Sequence, residues 1–396
     1  MAATAMPIQV GCYLARSKEA DEAALDAFLR RLIDDVKPEL ERATGREWRF
    51  HIGDPAELPA IPAEGTRPAD FVPQSTQRLA EGSFDLVVAI ADAPLVSRAE
   101  RPTSGVASEL TRTCVLSTRR LQPDRRGPTG ALDAPAVRWN AAALLLHLIG
   151  HAMGLRSHPD TEGVMAPFRL DAERNRCPRF ADPEQLRRLA DGFPEQEWRG
   201  RNRAHEILLH AFAVVSHPVL VLRTLWRNKA PLLPLKMPTL ATAAVAPVFI
   251  LVFTAEMWDA GLGMKNATAW WYAGLSILAA TLYLALSLNL FLPRKENRIV
   301  PEHIAVANGT ILLTMLLAIV GLFVMVTLLT LVIVLAIFPE GLISTWPTLE
   351  DPVVTWVDKL RLAVFDSTVG VTTGALAGGL QRREILRELA LFPTYV

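Results

Sequence analysis

The sequence predicts two unlike parts: an α/β (α+β) domain built on a mixed sheet over residues 1–198, and an all-α membrane region that begins near residue 237. Three observations predict this. Strand-like and helix-like segments alternate through the first part, with charges spread throughout. From about 237 to 338 the chain is mostly apolar, so the overall hydrophobic content of 51% averages a water-facing domain with a lipid-facing one. Between them runs a basic juxtamembrane segment, 199–236, with Arg199, Arg201, Arg203, Arg223, Arg227, Lys229 and Lys236.

Taken in order, IQVGCYL (8–14) reads as the first strand. The helix that follows has Leu25, Phe28, Leu29, Leu32, Ile33 and Val36 at helical spacing. EWRFHIG (47–53) alternates as a strand does. A proline-rich loop and a short helix then lead to FDLVVAIADAPL (84–95), whose β-branched run suits a buried strand. TRTCVLSTRRL (111–121) reads as another strand, and QPDRRGPTG as a loop. APAVRWNAAALLLHLIGHAMGL then gives about five turns of helix, ending near Gly154. The closing helix, PEQLRRLADGF, is announced by Asp182 as N-cap, Pro183 at N1 and Glu184 in the first turn.

Beyond residue 198, ILLHAFAVVSHPVLVLRTLW is apolar but broken by two histidines and Pro218, and reads as an interfacial helix. Three uncharged stretches follow at 237–255, 267–292 and 304–338, each long enough for a span of roughly 20 residues. In the remaining segment, 339–396, a fourth candidate (about 360–380) carries Arg361 and Asp366 among many glycines and threonines; Asp366 is read there as an interfacial or loop residue. Basic residues before the first stretch and in LPRKENR after the second, against the acidic PEGLISTWPTLEDP after the third, place the N-terminal domain on the cytoplasmic face of an integral membrane protein. Bringing QRREILREL to that side as well requires a crossing between 353 and 380. Trp270, Trp271 and Tyr272 open the second stretch as interfacial anchors. The stretches hold few ionisable residues, which favours anchoring over transport.

Equal numbers of acidic and basic residues give no reason to expect nucleic acid as a partner. The N-terminus shows no basic-then-apolar leader. Cys12, Cys114 and Cys177 are far apart with no CxxC spacing, which predicts reduced thiols in a cytosolic compartment rather than disulfides, and Cys12 and Cys114, in apolar strand-like runs, read as small core residues. Phosphate-loop, dinucleotide and GxSxG fingerprints are all missing from the sequence.

The informative stretch is HLIGHAMGLRSHPDTEGVMAPF, residues 147–168. His147 and His151 are four apart, so one helix face carries both imidazoles within reach of a single zinc ion. Gly154 falls where the helix must end in a left-handed residue. His158 lies just past that turn, and Met165 sits in a turn next to Pro167. By contrast, His205 and His210 of HEILLH are five apart and diverge by roughly 140° around a helix, unfit for a shared metal.

This set resembles the metzincin clan of zinc peptidases, whose pattern is HExxHxxGxxH followed by a methionine turn. The order of elements over residues 7–195 is similar to that fold as well. The resemblance implies a zincin-like domain with an active-site helix, one zinc ion, His147, His151 and His158 as its ligands, and Gly154 and Met165 as structural residues. Two departures matter. Leu148 stands where the clan has its glutamate general base, whose loss costs about 10²–10⁴-fold. The clan's third histidine falls at Ser157, one residue before His158, so either the turn is one residue longer or Asp160 coordinates instead. Asp160 and Glu162 are the nearby carboxylates that could replace the base, with Glu162 the candidate put forward. Two readings therefore stand side by side: an atypical metallopeptidase, and a pseudopeptidase that holds a peptide or protein partner at the bilayer.

Overall fold

In the computed structural model the chain is described over residues 6–16, 20–57, 65–82, 84–97, 101–122, 132–157, 163–193, 197–199, 203–292, 299–348, 353–378 and 394–395. It divides into two units. The first comprises 1–217, 292–307 and 384–396; the second comprises 218–291 and 308–383.

The first unit begins with β1 (Ile8–Arg16), α1 (Glu22–Thr44), β2 (Trp48–Ile52), β3 (Ala56–Glu57), α2 (Val72–Gly82) and β4 (Leu86–Ala91). A small β5 (Leu95–Val96) and β6 (Pro102–Thr103) pair leads to β7 (Gly105–Ser108) and β8 (Thr113–Ser117). Helices α3 (Pro135–Ala152) and α4 (Pro183–Ala190) follow, then β9 (Glu197–Arg199) and α5 (Arg203–Ser216). Two later strands, β10 (Ile299–Pro301) and β11 (Thr394–Tyr395), belong to the same unit.

The main sheet runs β11-β7-β8-β4-β1-β2, with β3 also paired to β1. Strands β2, β1, β4 and β8 are parallel, and β7 and β11 are antiparallel to their neighbours. The 111–121 segment supplies β8, an inner strand, and the antiparallel strand beside it, which the sequence reading did not identify, is GVAS at 105–108. Four residues are too few for a period-2 pattern to stand out.

Helix α1 forms for the reasons its sequence gives. Asp21 caps it by accepting from the Ala24 N–H. Gly45, at φ 69°, ends it in the left-handed region. Leu25, Phe28, Leu29, Leu32, Ile33 and Val36 are all buried on one face. Helix α3 is different. From Ala141 to Gly150 every residue is buried, the mark of a helix enclosed by its own domain. The two helices share one core with the sheet.

The second unit contains α6 (Pro218–Arg227), α7 (Pro238–Leu251), α8 (Ala255–Gly263), α9 (Asn266–Ser287), most of α10 (Glu302–Ile337), α11 (Glu340–Ile343) and α12 (Trp356–Gly378). Two of these, α9 and α10, are long and apolar enough to cross a membrane. The apolar stretch 237–255 is not one straight helix: α7 ends at Leu251, and α8 leaves it at 94°. Asp366 is not in a loop; it lies within α12 and is 1% exposed. The glycines that suggested a loop instead make room for a neighbouring helix. A Cβ on Gly370 would lie 2.6 Å from the Ala244 carbonyl oxygen, and one on Gly374 would lie 3.0 Å from that of Leu240. Small residues four apart thus let α12 and α7 approach backbone to backbone.

The sequence boundary near Trp198 falls inside the first unit, which runs on to His217. Glu197–Arg199 pairs antiparallel with Ile299–Pro301, and the His217 ring is 2.7 Å from a Glu302 carboxylate oxygen. These ties bring the 292–307 segment back to the first unit.

Candidate metal centre

The end of α3 sets the site. The Gly154 N–H bonds to the His151 carbonyl, and the Leu155 N–H to that of Gly150. This is the paired hydrogen bonding of a Schellman cap, and Gly154, at φ 104°, occupies its left-handed position. The reversal carries the Leu155 carbonyl back over the last turn, where it lies 2.9 Å from His151 Nδ1. Gly154 therefore does more than stop the helix, because the turn it permits orients a histidine.

His147 is oriented from another direction. Its Nδ1 is 2.7 Å from the Val164 carbonyl oxygen. Val164 is held by its own N–H to the Arg179 carbonyl, beside a bridge between Gly163 and Phe180. The Phe180 N–H in turn donates to Glu39 on α1. The methionine lies in this same turn, closed by the Ala166 N–H on the Gly163 carbonyl. Met165 packs directly against Gly150, where a Cβ would come within 2.5 Å of its sulfur.

A ring nitrogen facing a carbonyl oxygen must be the N–H, because two acceptors repel. Both imidazoles thus carry their proton on Nδ1 and turn bare Nε2 atoms toward each other, 3.1 Å apart. The Ser157 hydroxyl completes a triangle, 3.3 Å from His147 Nε2 and 3.2 Å from His151 Nε2. Among these three atoms only the hydroxyl brings a proton. Protonating His147 is disfavoured: burial pushes its pKa down, against the opposing effect of the Val164 hydrogen bond. A divalent cation removes the repulsion instead. Tetrahedral zinc with bonds of ~2.0–2.1 Å needs ligand atoms about 3.3 Å apart, which these edges approach. Nδ1–H bonds to carbonyls are also the usual support for metal-bound histidine. The residues present fit a transition-metal ion.

Leu148 turns away into the core. It is fully buried, and its Cδ1 would lie 2.7 Å from a Cβ on Gly105 of β7. His158, Asp160 and Glu162 lie outside the described residues. Among the described residues no three His, Cys, Asp or Glu groups gather. Among the described residues the third corner is the Ser157 hydroxyl, at the position where the metzincin pattern has its histidine. Sequence reasoning named Ser157 only as a departure, although its place in the pattern was the available signal.

Asn140 was missed altogether. It is fully buried on α3, donates to the Leu121 and Asp171 carbonyls, and accepts from the Asp171 N–H and Arg174 Nε. It fixes the chain that leaves the methionine turn. A lone asparagine in a run of alanines and leucines gives no signal of that role.

A scan of the sequence against protein-family models finds no match, and neither does a search of curated proteins. Among solved structures the chain is similar to archaemetzincin from Methanopyrus kandleri, at 20% identity and a TM-score of 0.36, covering 48% of this chain and 98% of that one. It is also similar to archaemetzincin from Archaeoglobus fulgidus complexed with malonate, at 14% identity and a TM-score of 0.29, over 46% of this chain and 92% of that one. A zinc-dependent peptidase from Methanocorpusculum labreanum is similar at 14% identity and a TM-score of 0.28, over 46% and 94%. The reading of the site rests on its own geometry.

Proposed function

We propose that this chain is a membrane-anchored, zinc-binding protein whose metzincin-like domain faces the cytoplasm, degenerate at the general-base position. The observation that carries the metal assignment is the pair of bare Nε2 atoms facing each other at 3.1 Å, each fixed by an Nδ1 contact to a carbonyl. His147 and His151 would hold one zinc ion, with Ser157 or His158 as the third ligand. The ion would polarise a bound carbonyl or water. The protein side of that chemistry is incomplete: Leu148 can neither take nor give a proton, and its contact with Gly105 makes it part of the core. Binding of a peptide or protein segment is the favoured role. The atypical-peptidase reading requires a carboxylate such as Glu162 to act as base.

Anchoring is supported by α9 and α10 and by the apolar exterior of the second unit, where Phe249, Ile250, Trp270, Trp271, Leu328 and Val332 are exposed. The chain also leaves the first unit and returns to it twice, at 292–307 and at 384–396. Each excursion must cross a bilayer an even number of times. That favours four crossings: the bent α7–α8 pair and α9 in one excursion, α10 and α12 in the other. Helix α12 need not be strongly apolar if its sides face other helices.

Cobalt(II) substitution of the full-length chain in detergent tests the metal assignment. The expected result is a visible ligand-field band of a tetrahedral site, weakened or shifted in Ser157→Ala and lost in His147→Ala. If no such band forms in the folded wild-type chain, the assignment is wrong. Peptide hydrolysis separates the two roles. Leu148→Glu should exceed wild type by at least ~100-fold if only the base is missing, and neither should hydrolyse if the domain binds without cleaving.

A further inference from the structure

We infer that α6 and the Ala230–Lys236 segment after it form a binding band for anionic phospholipid headgroups, in the leaflet at which the chain enters the second unit. One face of α6 is apolar and turned outward. Val219, Leu222 and Trp226 recur there at helical spacing, and Trp226 is 85% exposed. The opposite face, with Val221, Thr224 and Leu225, is buried. Leu232 and Leu235 continue the exposed apolar surface past the helix end. Cations flank it: Arg223 and Arg227 are four apart on α6, and Lys229 and Lys236 follow. Of these, Arg227, Lys229 and Lys236 are exposed. No acidic residue stands between Glu206 and Glu256, and none occurs on α10 from Asn308 to Ile337. Apolar side chains, an indole and positive charge thus lie together, the combination that an anionic headgroup layer takes up.

The packing sets the depth of this band. Gly321 of α10 lies directly against the Pro231 carbonyl, with no room there for a Cβ. Helix α10 ends at Ile337, about 24 Å further along at 1.5 Å per residue, and Glu340 follows. With that end at the far boundary of a ~30 Å hydrocarbon core, Pro231 lies within about 6 Å of the near one. Two other contacts agree on the level. A Cβ on Gly378, where α12 ends, would meet Leu240 at 2.6 Å and Leu284 at 3.0 Å. Leu240 is in the first turn of α7, just past Lys236, and Leu284 is in the last turn of α9. At such a level lysine and arginine stems stay in apolar surroundings while their charges reach phosphate oxygens. The inference rests on the anchoring reading above and names the lipid that this reading leaves open.

Spin-labelled lipids test this with the full-length chain reconstituted in phosphatidylcholine vesicles. Electron paramagnetic resonance gives the fraction of each label held at the protein surface. Labelled phosphatidylglycerol should associate about fivefold more strongly than labelled phosphatidylcholine at low salt, and the preference should shrink as salt rises. The Arg223→Gln/Arg227→Gln/Lys229→Gln/Lys236→Gln variant should hold the two lipids equally, with its helix content by circular dichroism unchanged. Arg223→Lys/Arg227→Lys keeps the charge and should keep the preference, as should Lys265→Gln, which lies before α9 at the opposite end of the bundle. Equal association of both lipids with the wild-type chain would overturn the inference and leave the band to an acidic protein segment. A preference kept by the fourfold variant, or lost in Lys265→Gln, would overturn it as well. Alkaline carbonate separates it from the anchoring reading. A chain released from the vesicles removes both, whereas a retained chain with no lipid preference removes this inference alone.

Discussion

The two units bury side chains for different reasons. In the first, burial comes with hydrogen-bonded polar groups around the site: Asn140 satisfies both ends of its amide, and Glu39, Val164 and Leu155 each supply a hydrogen-bond acceptor there. Among its described residues from Ile8 to Phe193, Ile52 is the one large apolar side chain left exposed. In the second unit the surface itself is apolar, and the interior is closed by glycines that bring backbones together. The hydrophobic effect drives the first kind of burial, and close backbone packing at glycines marks the second. A site that needs groups placed within tenths of an ångström is found in the first kind.

The sharpest way to break this contrast is Asn140→Ala. It strands two carbonyls, an N–H and the Arg174 guanidinium, and should destabilise the first unit by about 3 kcal/mol or more. The melting temperature of the full-length chain and exchange at 163–180 would report it; an unchanged melt would show that the amide network is dispensable. Next comes Gly374→Leu in the second unit, where the new side chain meets the Leu240 carbonyl and Ala244. A cost of about 1–3 kcal/mol is expected, seen as faster exchange in α7 and α12 with metal content untouched. If metal is lost too, the units are not independent.

A finer test concerns Cys177, which is partly exposed yet has its thiol pushed up to about 12, first by burial and then by Glu39 and Asp35. The raised pKa keeps it a neutral thiol at pH 8, and the thiolate is the reactive form. Alkylation by iodoacetamide should therefore run on the order of 100-fold slower in the folded chain than in urea. Comparable rates would contradict the arrangement around α1 that surrounds it.

Sequence alone disclosed those parts whose signal is local. The apolar face of α1, the β-branched run of β4, the unbroken apolar helix α3 and its glycine stop all lie within a few turns of chain. The parts it hid depend on partners far away. Strand β7 is four residues whose pairing is decided by β8 and by a strand almost 290 residues later, at 394–395. Asp366 looked like a loop residue because its neighbours are glycine and threonine, which in α12 serve close helix packing. At the candidate centre the histidine pair and Gly154 were legible from spacing. The carbonyls that orient the rings were not, because backbone acceptors carry no residue identity.

If His147 and His151 share one metal ion, the zinc stoichiometry of the purified chain will show it. Elemental mass spectrometry of the full-length chain, purified in detergent, should be set beside its folded His147→Ala/His151→Ala variant. Close to one zinc per wild-type chain is expected, and near none in the variant. No zinc in a folded wild-type chain, or equal zinc in both, would contradict it.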